Sequence, residues 1–506
     1  MSQEEKWFWI TLALVTGLRL FAIAGFELAP DEAYYWTWSR HLDWGYYDQG
    51  PLLALVIRLG TWLGGGPSAW SVRLGSVLLS GVTSWFFFQL VRRATASNRA
   101  AWYAFLLLQS ALLISAGALL MMHDSIMVCA WTAALYFFHR ALCQEWRPGW
   151  VGGALALGAG ALAKYSMALF VPCLLLFLVV SPRQRREWLR PPLYLAGVAT
   201  LLLVAPLVIW NLQHGWASFG HIGDLSGAGQ AWKFSLSTVG NYLGGQLGIM
   251  SPLLGALCFA APLLAWRLWR QGQPHGEDYL FLACFSAPIF LFFLVLSVRT
   301  SVYANWPAPA YPAALAILGG VYAFRQQRTP SRAWRSWAWA TLALSLLFTL
   351  VAHTEVLWGV PPLTGRAAES MDRVRGWRIM GNEASRLLRE LQAQSPTPLL
   401  LGARRYQIAG LLSFYTEGHP EVQLFPLREP ADNQYRFWDQ RSRLAGRNFL
   451  YVSEHYWEAD HIRPFFNEVR TLEPFAVIQN GRKIREIRYF LALGYNPSAA
   501  PAGAKP

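Results

Sequence analysis

The sequence predicts a polytopic α-helical membrane protein that carries a small external α/β domain at its C-terminal end. Of the 506 residues, 54% are hydrophobic and only 14% are charged, whereas soluble domains carry about a quarter charged residues. The 26 tryptophans suit the aromatic belts of membrane interfaces. The net charge of +14 fits basic loops facing anionic membrane lipids, so we expect no nucleic-acid partner.

Eleven apolar stretches approach the length of about 20 residues that a membrane-spanning helix needs. Arginines cluster in every second connection between them, and the positive-inside rule places those connections in the cytoplasm. We therefore expect a cytoplasmic N-terminus and a membrane domain over 1–353, with outer loops at 27–69 and 212–246. The expected spans are 7–26, 70–91, 100–117, 119–139, 151–163, 166–181, 193–211, 247–266, 279–298, 307–324 and 336–353.

Residues 151–181 leave two interpretations open, because Lys164 interrupts an otherwise apolar segment. A single long span would place the following Arg183–Arg190 connection outside, against the charge rule. Two short spans keep that connection inside and place Lys164 at an outer turn. We favour the two short spans.

The C-terminal region, 354–495, has the composition of a small external α/β domain. Strand-like runs occupy 398–403, 421–425 and 448–453, with amphipathic stretches at 381–394 and 406–417 between or before them. The low-complexity tail, 496–506, is predicted to be disordered. The five cysteines lack CxxC spacing, which indicates neither a disulfide framework nor a zinc knuckle.

Four carboxylates and a lysine stand at the predicted outer ends of spans. Asp31 and Glu32 follow Pro30, so they are also typical of a helix start, while Asp48 is also typical of a turn. Asp124 opens a span, where it is either a helix cap or a functional group. Lys164 is either a functional cation or a side chain that reaches the headgroups.

Two further features lie on the same predicted outer side. Arg299 stands at an outer span edge, against the positive-inside trend, and such an arginine suggests an anionic partner. The 212–246 loop contains His214 and His221, which are candidate metal ligands, although isolated histidines are more often ordinary surface residues. Its glycines and aromatic residues are typical of a mobile cover.

This pattern of acids and cations is what an active site at the outer membrane surface requires. A carboxylate serves as the base for an acceptor hydroxyl, and cations hold a departing phosphate. A polyprenyl-lipid flippase or transporter is the alternative, with Lys164, Asp124 and Asp48 along its path. A binding scaffold leaves the clustered carboxylates unexplained. No GxGxxG motif follows a predicted strand, which disfavours a soluble nucleotide-sugar donor.

Several segments, in this order, resemble the bacterial dolichyl-phosphate-mannose-protein mannosyltransferase-like enzymes (glycosyltransferase family 39), which are related to the lipid A aminoarabinose transferase and have the GT-C membrane fold. The resemblance implies inverting transfer of a sugar from a polyprenyl-phosphate donor to an acceptor outside the bacterial inner membrane. The acceptor is lipid A, a core oligosaccharide, another glycan or a protein. The segments are "DEAYYWTWSRHLDWGYYDQGP", the "HD" at 123–124, "LAKYSMALF", "WNLQHGW", "NWPAPAYP" and "NQYRFW".

The resemblance also implies roles for individual residues. Asp31 matches the catalytic base, and Asp124 matches a second acidic position. Asp31, Glu32 and Asp124 are thus the predicted catalytic residues, and on physical grounds the neighbouring Glu32 or Asp48 would raise the pKa of Asp31. The residues implied at the donor phosphate are Tyr35, Tyr46, Lys164, Arg299 and Tyr303.

One departure from the family pattern follows Asp48, a metal ligand in some relatives. Those relatives have His-Pro-Pro or Lys-Pro-Pro at the next positions, whereas this chain has Gln49-Gly50-Pro51. The cation supplied there in relatives is missing, so either Lys164 and Arg299 carry the phosphate or the donor is bound differently. A divalent metal held by Asp48 and His221 remains a candidate cofactor.

Overall fold

The structure is a computed structural model that describes residues 1–227, 234–360, 372–427, 430–455, 457–479 and 481–498. Most of the tail expected to be disordered, from 499 onward, lies outside the described residues, as does part of the 212–246 loop. Two compact units share the chain. The membrane unit consists of 1–22, 44–53 and 73–354, and the sheet unit consists of 23–43, 54–72 and 355–506.

Helices occupy every stretch predicted to span the membrane, and six segments of the described chain are long and apolar enough to cross a bilayer. These six are Ala69–Thr95, His123–Leu142, Pro191–Gln213, Pro252–Arg270, Gly276–Ser297 and Arg332–Trp358. The remaining helices up to Trp358 are Gln3–Ala22, Pro30–Arg40, Leu52–Leu63, Asn98–Ser110, Leu112–Gly117, Pro148–Ala161, Phe170–Val180, Ala217–Leu225, Leu236–Met250 and Ala310–Arg328.

The helices correct several expected boundaries. The stretch 100–117 is not one helix, because the chain bends at Ala111. The stretch 247–266 is divided at Ser251, whose φ of 70° is incompatible with a continuous right-handed helix. The predicted outer loops contain helices, namely Pro30–Arg40 and Leu52–Leu63 in the first, and Ala217–Leu225 in the second.

The break around Lys164 agrees with the interpretation of two short apolar helices. The Pro148–Ala161 helix ends before it, and a 3₁₀ turn over Tyr165–Leu169 leads into Phe170–Val180. Lys164 itself is extended, with φ −149° and ψ 130°. The turn therefore projects one lysine from between two apolar helices.

The Ala310–Arg328 helix lies at the centre of the membrane unit. All residues from Ala310 to Ala323 are buried, as expected of a helix that is apolar on all faces. A methyl group added to Gly319 would lie 2.5 Å from the Ala104 Cβ, so this glycine permits the close helix approach that is common in membrane bundles.

The sheet unit contains a mixed six-stranded sheet with the order β2-β1-β3-β6-β4, and β5 pairs with β6. Strand β1 is parallel to both β2 and β3, whereas β6 runs antiparallel to β3, β4 and β5. The sequence located the first three strands but not the last three. The strands are β1 (Leu399–Ala403), β2 (Val422–Leu424), β3 (Asn448–Ser453), β4 (Phe466–Thr471), β5 (Phe475–Gln479) and β6 (Arg482–Tyr495).

Among the described residues after 372, four α-helices accompany the sheet: Trp377–Gln392, Tyr406–Tyr415, Tyr435–Trp438 and Trp457–Ile462. The first two coincide with the two amphipathic stretches read from the sequence. Tyr406–Tyr415 connects β1 to the parallel strand β2, which is the connection that a parallel strand pair requires.

Candidate active site

In the sheet unit, the Pro30–Arg40 helix positions the first acidic pair. Pro30 occupies the first helical turn, where its missing N–H is harmless. The Glu32 carboxylate is fully buried and accepts a hydrogen bond of 2.9 Å from the Ala29 backbone N–H. Glu32 therefore stabilises the helix start, which is the structural role that its sequence position also allowed.

Asp31 has a different environment from its neighbour. Its side chain keeps 25% of its accessible surface, and one carboxylate oxygen lies 3.7 Å from the guanidinium of Arg373. Burial raises the pKa of Asp31, while Arg373 and a hydrogen bond from Gln407 offset part of that increase. A partly open carboxylate with a raised pKa has the properties of a general base.

A close helix contact holds this acidic helix in the sheet unit. A methyl group added to Gly410, on the Tyr406–Tyr415 helix, would lie 2.7 Å from the Tyr34 backbone nitrogen. The Tyr34 hydroxyl accepts a hydrogen bond of 2.8 Å from the Gln434 backbone N–H. Tyr35 is half-buried, with its ring centroid 5.0 Å from that of Trp38.

In the membrane unit, Lys164 and Asp124 form a buried ion pair. The Lys164 ammonium donates to one Asp124 oxygen at 2.7 Å, and the Asn305 amide donates to the other at 2.9 Å. The side chains of Lys164 and Asp124 are only 10% and 17% exposed, so Lys164 does not extend to a headgroup region. His123 ties the same two segments together by donating from Nδ1 to the Ala163 carbonyl at 2.9 Å.

The departure at Gln49-Gly50 has a structural explanation. The Gln49 side-chain carbonyl accepts a hydrogen bond of 3.1 Å from the Tyr165 N–H, and a methyl group added to Gly50 would lie 2.1 Å from the Leu162 carbonyl oxygen. The Leu52 N–H donates to that same Leu162 oxygen at 3.1 Å. These two residues therefore dock the segment bearing Asp48 onto the turn bearing Lys164.

Asp48 and His221 approach each other in the membrane unit, with 3.7 Å between a carboxylate oxygen and Nε2. Tyr47 packs on the His221 ring at a centroid distance of 4.9 Å, and Ser218 donates to the Tyr46 carbonyl at 2.8 Å. A carboxylate and an imidazole fit a divalent ion such as Mn²⁺ or Zn²⁺. Two protein ligands leave positions open for phosphate oxygens or water.

Three predicted phosphate contacts have other surroundings. Tyr46 is fully buried. The Arg299 guanidinium donates to the Gly227 carbonyl, and the Tyr303 side chain is 63% exposed and contacts the Trp306 ring. The membrane unit thus joins Asp124 to Lys164 and Asp48 to His221.

Sequence reasoning missed two polar residues in the region around Asp124, one bonded to it and one lining a cavity that it shares. Asn305 lies within the quoted NWPAPAYP segment, yet only the fold reveals its bond to Asp124. Arg19, in the last turn of the Gln3–Ala22 helix, is 6% exposed and lines a cavity that also reaches Asp124. A basic residue inside the first predicted span was the available signal for Arg19.

The comparisons with known proteins agree with this architecture. The family model for dolichyl-phosphate-mannose-protein mannosyltransferase matches residues 48–210. The lipid A galacturonosyltransferase RgtD of Rhizobium johnstonii is 24% identical over 452 residues, covering 86% of this chain and 88% of that protein. The predicted resemblance is confirmed. This chain is a membrane glycosyltransferase with the GT-C fold.

Two further proteins are similar to this GT-C glycosyltransferase, one in sequence and one in fold. The undecaprenyl phosphate-alpha-4-amino-4-deoxy-L-arabinose arabinosyl transferase of Edwardsiella ictaluri is 26% identical over 63% of this chain and 59% of its own length. The crystal structure of ArnT from Cupriavidus metallidurans bound to undecaprenyl phosphate aligns with a TM-score of 0.64. That alignment covers 98% of this chain and 99% of ArnT at 20% identity, and it shows the fold. The chain is a multi-pass protein of the bacterial inner membrane.

Proposed function

We propose that the protein transfers a sugar, with inversion, from a polyprenyl-phosphate donor to a lipid A-type acceptor. The relatives named above act on lipid A or use an undecaprenyl-phosphate sugar, and the comparisons favour a transferase over a flippase. We further propose eleven spans, a cytoplasmic N-terminus, catalysis in 1–353 and a periplasmic domain over 354–495. The predicted outer side of the membrane is where such lipid-linked substrates meet.

The observation that carries this proposal is the buried Lys164–Asp124 pair. A desolvated ion pair is costly to maintain, and ionisable groups within membrane proteins usually serve a function. Asp124 accepts from both Lys164 and Asn305, so it orients the ammonium rather than acting as a base. Lys164 then provides a fixed positive charge for the donor phosphate, which needs no reorganisation during the reaction.

Asp31 supplies the general base. It accepts the proton from the acceptor hydroxyl as that oxygen attacks the anomeric carbon of the donor sugar. The bond from the anomeric carbon to the phosphate oxygen breaks at the same time, and polyprenyl phosphate leaves with the bonding electrons. The raised pKa of Asp31 favours this proton transfer.

Asp48 and His221 would hold a divalent ion if the reaction uses one. The ion's charge would be directed at phosphate oxygens, as is usual for metals with few protein ligands. The predicted contacts of the donor also include Tyr35, Tyr46, Arg299 and Tyr303. The Arg299 guanidinium is held by its hydrogen bond to the Gly227 carbonyl.

A groove within the sheet unit suits an anionic acceptor headgroup. It has a volume of about 760 Å³ and is lined by both Arg40 and Arg58. Trp62, on the same helix as Arg58, is 73% exposed. Guanidinium groups beside exposed apolar side chains match a phosphorylated lipid, which is amphiphilic and negatively charged.

The proposal is tested with purified full-length protein, lipid A and a panel of polyprenyl-phosphate sugars. Transfer predicts release of polyprenyl phosphate together with glycosylated lipid A. Movement of an intact donor across proteoliposomes, without cleavage, would instead establish the flippase. The variant Arg58→Gln is expected to raise the KM for lipid A without changing donor binding, and Arg447→Gln, outside the groove, serves as its control.

A further inference from the structure

A group of metal-ligating side chains lies in the membrane unit, at the opposite end of the His123–Leu142 helix from Asp124. His139, Cys143 and Asp278 each offer one ligand atom, and these atoms all lie within 4.8 Å of one another. The rise of a helix separates His139 from Asp124 by about 22 Å along the axis. The proposed transfer reaction therefore gives this group no role.

Helix geometry places two of the three side chains on one face. His139 stands in the last turn of the His123–Leu142 helix, and Cys143 ends that helix four residues later. Side chains with this spacing are neighbours on a helix surface. Asp278 comes from a distant segment, the first turn of the helix that begins at Gly276. The fold thus adds a carboxylate to a His-x₃-Cys pair.

Hydrogen bonds to Asp278 do not satisfy the whole group. His139 Nε2 lies 2.6 Å from one Asp278 oxygen, and His275 Nδ1 lies 3.3 Å from the other. His139 is fully buried, yet its Nδ1 has no hydrogen-bond partner among the residues that the structure describes. A buried polar atom of this kind commonly indicates a network that an ion or a water molecule completes.

The chemistry of the three ligands selects the ion. A thiolate, an imidazole and a carboxylate are the ligand types that Zn²⁺ takes, whereas Mg²⁺ and Ca²⁺ take oxygen ligands. The thiolate of Cys143 and the carboxylate of Asp278 carry two negative charges, which the charge of Zn²⁺ balances, and His139 binds as a neutral ring.

The distances within the group are compatible with this ion. Zinc–ligand bonds of about 2.0–2.3 Å place the ligand atoms of a tetrahedral site about 3.3–3.8 Å apart. The contact of 2.6 Å between His139 and Asp278 is shorter than that, and the limit of 4.8 Å for the whole group is longer. Small side-chain rotations therefore suffice to form the site.

We propose that His139, Cys143 and Asp278 bind one Zn²⁺ ion, with water at the fourth position. His275 positions the Asp278 carboxylate from its other oxygen, as polar neighbours of metal ligands usually do. The His275 side chain is 39% exposed, so the group borders solvent from which the ion enters. The ion joins the end of one helix to the start of another, independently of the proposed transfer reaction.

The test uses full-length protein that has been purified in detergent and treated with a chelator. Co²⁺ replaces Zn²⁺ as the probe, because a cobalt–thiolate bond gives a charge-transfer absorption in the near ultraviolet. The site proposed at Asp48 and His221 contains no cysteine and cannot give that band. Zn²⁺ is then added to displace Co²⁺, which yields the relative affinity for Zn²⁺.

The variants are Cys143→Ser and His275→Asn, and the matched control is Cys129→Ser, which changes a buried cysteine of the same helix outside the group. Thermal melting of each variant establishes that it is folded. If Cys143→Ser does not fold, the wild-type spectrum and His275→Asn still test the proposal.

The wild type and Cys129→Ser should bind one Co²⁺ per chain with the thiolate band, and Zn²⁺ should abolish the band. Cys143→Ser should lose it, while His275→Asn should keep it and bind Zn²⁺ more weakly by roughly 10–100-fold, the usual effect of removing a residue that positions a ligand. Co²⁺ binding without the band in the wild type would overturn the proposal, and so would a band that persists in Cys143→Ser or disappears in Cys129→Ser. Unchanged Zn²⁺ affinity in His275→Asn would remove His275 from its positioning role.

Discussion

Lys164 and Asp124 are joined by a hydrogen bond of 2.7 Å across segments that are 40 residues apart in the chain. The bond connects the first turn of the His123–Leu142 helix to the break between two short apolar helices. Breaking a buried ion pair by removing one partner typically costs 3–5 kcal/mol, because the other charge is left uncompensated. A loss of activity in a single variant could therefore reflect either lost folding or lost chemistry.

We predict that Lys164→Met lowers both stability and donor turnover. The double variant Lys164→Met/Asp124→Leu should regain stability but not turnover. The double variant removes both charges, which is often neutral for stability, but it still lacks the cation for the donor phosphate. Thermal melting and turnover of the single and double variants separate these effects. Recovery of turnover in the double variant would exclude Lys164 from the reaction.

The contact between Gly50 and Leu162 predicts a second effect. Gly50→Ala should slow turnover and lower stability by about 1–3 kcal/mol, since the added methyl would lie 2.1 Å from the Leu162 oxygen. Gly197→Ala is the matched control, because nothing lies within 4 Å of a methyl group at that helical position. Equal melting temperatures for the two variants would contradict the docking of the Asp48 segment onto the Lys164 turn.

The environment of Asp31 predicts a pH dependence. Burial raises the pKa of Asp31 and Arg373 lowers it, so Arg373→Gln should raise that pKa further. A base must be deprotonated, so turnover falls as the pH drops through this pKa, and the acidic limb should move to higher pH in Arg373→Gln. A pH–rate profile measures the shift, with Arg389→Gln as a surface control. An unchanged or oppositely shifted limb in Arg373→Gln would remove Asp31 from the role of base.

The approach of Asp48 and His221 predicts a response to divalent metal. If they hold a catalytic ion, a chelator should lower wild-type turnover and added Mn²⁺ or Zn²⁺ should restore it. Asp48→Asn and His221→Asn should be slow and respond little to either treatment, whereas His214→Asn should behave as the wild type. Full wild-type turnover in the presence of the chelator would show that the pair acts without a metal.

The sequence predicted the membrane class and the positions of its apolar helices well, because hydropathy and arginine distribution are strong local signals. It also identified Lys164 as the interruption between two short helices. It did not predict the division at Ser251, where a positive φ is set by tertiary context. The strands β4, β5 and β6 were also missed, because their polar and charged residues obscure the alternation.

The candidate site was predicted as a set of residues rather than as a set of contacts. Composition and motif order identified Asp31, Asp124 and Lys164. They did not reveal that Asp124 and Lys164 form an ion pair with each other. Glu32 and Asp31 are adjacent in sequence, yet one caps a helix and the other remains partly open. Such differences depend on partners from distant segments, which a single sequence does not reveal.

The most direct test of the account is donor turnover by Asp31→Asn, with Asp43→Asn, an exposed acid in the same region, as the matched control. Because the pKa of Asp31 is raised in the fold, its contribution to stability is greatest at acidic pH and is lost as the pH rises through that pKa. Asp31→Asn should therefore melt no lower than the wild type at neutral pH.

We predict that Asp31→Asn lowers turnover by roughly 10²–10⁴-fold, the usual contribution of a general base, while Asp43→Asn keeps wild-type turnover. Polyprenyl phosphate released from the donor in the presence of lipid A is the measured product. Full turnover by a folded Asp31→Asn variant would contradict the assignment of the base and, with it, the central account of this enzyme.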